Sequence, residues 1–117
     1  MKKISLILVL FSAGLLSAQA DYSFTSSGEY FNKAYEYLGM KDYPEAFKYF
    51  NKIDKSDTLY DLAQFNKLIA QYTAKYYKDV LETASKLINE ESSYAHEVCF
   101  YKIKALIEES LDFFLTK

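Results

Sequence analysis

The amino-acid sequence predicts an all-α chain, an antiparallel helix-turn-helix solenoid of about two and a half repeats. Apolar positions recur at intervals of 34 residues. Tyr43, Tyr77 and Leu111 fall in register, as do Ala46, Val80 and Phe114, and Phe47, Leu81 and Leu115. Upstream, Phe31, Phe65 and Cys99 keep the spacing, with Tyr35, Ile69 and Ile103, and Leu38, Tyr72 and Leu106. A sustained period of this length marks stacked helix pairs, each needing a neighbour to bury its apolar side. Within each stretch the apolar residues follow i, i+3, i+4, i+7 spacing, and no stretch alternates long enough for a strand.

Residues 1–20 read as a secretory signal peptide and stand apart from the fold. Lys2 and Lys3 precede an apolar run from Ile4 to Phe11, and Ala18-Gln19-Ala20 is a small-x-small cleavage site, with cleavage expected before Asp21. The apolar run is short of the roughly 20 residues that span a bilayer, so no membrane span is expected after cleavage. This start suits export from a bacterium, to the periplasm or the outside of the cell. Residues 21–26 form a polar lead with two aromatics, and residues 27–117 form the helical domain.

Each helix has its own signals. Helix 1 is predicted over about Gly28 to Leu38, capped by Ser26 or Ser27, with Glu29 in its first turn and Gly39 ending it in a left-handed cap. Asp42 and Glu45 stand in capping-box spacing at the start of helix 2, with Pro44 in its first turn. Ala46, Phe47, Tyr49, Phe50 and Ile53 make its buried side, with Ala46 opposite Ala34. Ser56 or Asp57 caps helix 3, over about Thr58 to Thr73, and helix 4 covers about Tyr77 to Ile88. Ser92 or Ser93 caps helix 5. Residues 109–116 form a short helix 6 or continue helix 5, because no glycine or proline divides them. In the first case Leu111, Phe114 and Leu115 pack on helix 5 and Phe113 points away, leaving an uncapped edge for a partner or a second copy. By this reading no connection exceeds about five residues.

Composition narrows the function. The 14 basic residues are all lysine, and two of them lie in the signal, leaving 12 against 16 acids. Without arginine a nucleic-acid or phosphate partner is not expected. Tyrosine and phenylalanine number 12 and 9, and with no tryptophan present they fit aromatic knobs between helices better than a carbohydrate site. The single cysteine, Cys99, excludes an intramolecular disulfide. Its partners in the repeat are Phe31 and Phe65, so it reads as a small buried hydrophobe. His96 and Cys99 form H-x-x-C, but a metal needs two or more further ligands, and no Gly-rich turn offers an oxyanion site for a Cys-His nucleophile. Glu90-Glu91 and Glu108-Glu109 are adjacent pairs that diverge by about 100° on a helix and do not face each other. No cofactor is expected and catalysis is not.

The segment YFNKAYEYLGMKDYPEAFKYFNKI, from Tyr30 to Ile53, resembles a tetratricopeptide repeat. Tyr30 stands at the family's first large aromatic, Ala34 and Ala46 at its small residues, Tyr37 at its tyrosine and Phe50 at its helix-B aromatic. Lys41 replaces the usual turn glycine, and Thr58 the usual terminal proline. In the second repeat, 61–94, Leu68 and Val80 replace small residues and Gln64 and Gln71 replace aromatics. A third begins at Ala95, where SYAHEVCFYKIKAL is similar to repeat starts in periplasmic members. The resemblance implies a protein-binding scaffold with a concave face lined by Phe31, Tyr35, Leu38, Phe65, Ile69, Tyr72, Cys99, Ile103 and Leu106. The alternative for this lane is that neighbouring helices and the 21–26 lead cover it. The family's peptide-carboxylate clamp is matched only by Asn32 and Asn66. Three other roles stay open: a self-assembling structural unit, a piece of a longer envelope protein, and a small secreted enzyme using Cys99 and His96.

Overall fold

A computed structural model of the chain describes residues 26–115. Residues 1–25, where the signal peptide and most of the polar lead are expected, and the last two residues lie outside them. Five helices follow in order: α1 (Ser26–Gly39), α2 (Tyr43–Asn51), α3 (Tyr60–Thr73), α4 (Tyr77–Asn89) and α5 (Ala95–Leu115). The described residues contain no strand, as an all-α fold requires. α2 and α4 begin 34 residues apart, and so do the ends of α1 and α3. The chain divides into two compact units between Lys67 and Leu68, within α3.

In the first unit α2 packs on α1. The i, i+3, i+4, i+7 set of α1 (Phe31, Ala34, Tyr35 and Leu38) is buried, together with Ala46, Phe50 and Ile53. Ala34 and Ala46 have no exposed surface, as the tight helix contact read from the sequence demands. Phe31, Tyr35 and Phe50 meet edge to face, with centroids 4.9 to 6.3 Å apart. The buried Tyr35 hydroxyl donates to Asn66 Oδ1 at 3.2 Å, and Asn66 Nδ2 donates to the Leu62 carbonyl at 2.8 Å. An unpaired amide here would carry its full desolvation cost, so these bonds let α3 bury a polar residue.

The turns place strain where the sequence reading did not. Gly39 is the last residue of α1 and no glycine has positive φ among the described residues; Lys41 takes the left-handed conformation, at φ 59°. The Asp42 N–H donates to the Tyr37 carbonyl and the Lys41 N–H to the Leu38 carbonyl, the two bonds of a Schellman cap. The left-handed position is set two residues later than expected because Asp42 must both close this cap and start α2. Its Oδ1 accepts from the Glu45 N–H at 3.5 Å. Lys75 (φ 68°) and Glu91 (φ 56°) end α3 and α4 with the same pair of bonds. Ser27, expected as a cap, instead donates to Asp57 Oδ2 at 2.7 Å, while Asp57 Oδ1 accepts from the Leu59 N–H at 2.8 Å. Asp57 therefore orders the eight-residue connection from Lys52 to Leu59, longer than the sequence reading allowed.

In the second unit α4 packs on α5. Val80, Thr83, Ala84 and Leu87 of α4 are buried, as are Val98, Tyr101 and Ala105 of α5. The Ser92 hydroxyl accepts from the Tyr94 N–H at 3.2 Å in the turn before α5. α5 is one helix of 21 residues, so helices 5 and 6 are continuous. Leu111, Phe114 and Leu115 consequently do not fold back on it; they are 49%, 74% and 82% exposed. The stretch from Ala63 to Gln71 in α3 is buried at all nine positions.

Candidate protein-docking surface

The residues expected to line a concave face divide by burial. Phe31, Tyr35, Leu38 and Phe65 in the first unit, and Ile69 in the second, are core side chains that a partner does not reach. Apolar columns in a small domain serve its own core first, because little other apolar surface is there to form one. Tyr72 is half-buried, and Cys99, Ile103 and Leu106 are exposed. The exposure of Cys99 corrects its reading as a buried hydrophobe. The core stripe of α5 begins at Val98, one residue before the 34-residue register, and turns Cys99 out of the contact.

That register gives α5 two apolar faces. Val98, Tyr101 and Ala105 line the core face. At about 100° per residue, Ile103, Leu106, Ile107, Leu111 and Phe114 centre on the opposite side, and all are between 47% and 74% exposed. Phe113, expected to point away from any helix contact, stands at the edge of this stripe and is 58% exposed. A cleft of about 680 Å³ lies beside it, walled by Leu106, Phe113 and Phe114 with Lys78, Glu109 and Asp112. A contiguous apolar surface on this scale marks an interaction site more often than scattered exposed residues do. Ile107 was not singled out from the sequence. Its signal was present in the apolar residues on both sides of one helix, but sequence does not say which side meets the core.

Past Ala105 the core face changes character. Glu108, Glu109 and Asp112 succeed the buried apolar positions there. Burial holds the Tyr72 and Tyr77 hydroxyls above their ordinary range, with Glu108 adding to both and Asp112 to Tyr77. Burial also pushes Tyr101 up to about 12, with Tyr72 contributing. Tyr72 and Tyr101 meet edge to face at 5.5 Å, and Lys104 Nζ lies 4.7 Å from the Tyr72 ring centre, 5.1 Å from Phe100 and 5.5 Å from Tyr101. Three ring faces around one ammonium fix the Lys104 stem along α5. Lys52 sits similarly over Tyr30 and Tyr49 in the first unit, at 5.4 and 4.6 Å.

His96 and Cys99 are both exposed on α5. Among the described residues no group of three or more His, Cys, Asp or Glu is placed to hold a metal ion. No helix of those residues is long and apolar enough to cross a membrane. No family model, curated protein or solved structure matches the chain.

Proposed function

We propose that this chain is an exported, tetratricopeptide-type scaffold that binds a protein through the outer face of α5. The observation that carries the reading is that face itself: Ile103, Leu106, Ile107, Leu111 and Phe114 exposed along one side of a helix whose other side supplies the core. The recurrence of helix bounds at 34 residues supports the repeat assignment. A partner helix or apolar segment laid along the stripe would remove these side chains from water, at roughly 25 cal/mol per Å² of apolar surface. The contact surface on this reading is narrower than the nine-residue lane, retaining only its members on α5.

A photo-reactive amino acid at position 107, in the compartment where the protein resides, tests it. A discrete protein adduct is expected from position 107 and none from position 33, an exposed site on α1. Equal labelling from both positions, or none from 107, would overturn the reading.

A further inference from the structure

We draw no further inference here: the strongest candidate, the cleft walled by Leu106, Phe113 and Phe114 beside the outer face of α5, belongs to the docking surface already described, and nothing in the structure shows what covers it.

Discussion

At the scale of single residues, the turns are the least optimised part of the chain. Lys41, Lys75 and Glu91 each hold a left-handed conformation that side chains with a Cβ adopt at a cost of roughly 1 kcal/mol. Gly39, meanwhile, occupies a helical position where a Cβ would meet nothing within 4 Å. Lys41→Gly is expected to stabilise the protein by up to about 1 kcal/mol, and Gly39→Ala by about 0.5–1 kcal/mol. Chemical denaturation checks both, and destabilisation by Gly39→Ala would put the left-handed residue back at position 39. Tyr101 makes a pH prediction. Its folded hydroxyl titrates at about 12 against an ordinary 10.0. Between those values the folded state keeps a proton that the unfolded state has lost. The stabilisation is complete below pH 10 and disappears as pH rises through 12. Denaturation at pH 8 and pH 11 should show a loss in the native protein that is smaller in Tyr101→Phe.

At the scale of elements, the α1–α2 pair behaves as its sequence pattern requires. Ala34 and Ala46 are both fully buried, so Ala46→Leu should overpack the pair by roughly 1–3 kcal/mol. An unchanged melting temperature would mean the helices do not meet at Ala46. α5 departs from the pattern. α4 is 13 residues long where α2 is 9. The connection after α4 is five residues where that after α2 is eight, and α5 meets α4 with Val98 on its core face where the 34-residue register would place Cys99. With Val98 in that place, Ile103 and Leu106 turn outward. Their repeat equivalents Tyr35, Ile69 and Leu38 are buried and Tyr72 is half-buried.

At the scale of the whole molecule, much of the helical organisation was legible because it is written locally. Periodicity fixes which stretches are helical, and Asp42, Asp57 and Ser92 mark where three of them begin through hydrogen bonds made within a few residues. The eight-residue connection after α2 was not legible, because Ser27 of α1 fixes Asp57 from 30 positions away. Nor was the candidate surface. A 34-residue column records that a position is apolar, and the choice between core and exposed face depends on the angle at which α5 meets α4. Sequence by itself determined an all-α chain, the starts of α2, α3 and α5 at Asp42, Asp57 and Ser92, and the buried pair of α1 and α2. The left-handed ends at Lys41, Lys75 and Glu91 were not read from it. Only the tertiary structure decided that α5 is continuous and that Ile107, Leu111 and Phe114 face outward. A helix with two apolar faces has no local preference between them, and packing against its neighbours settles which one is buried.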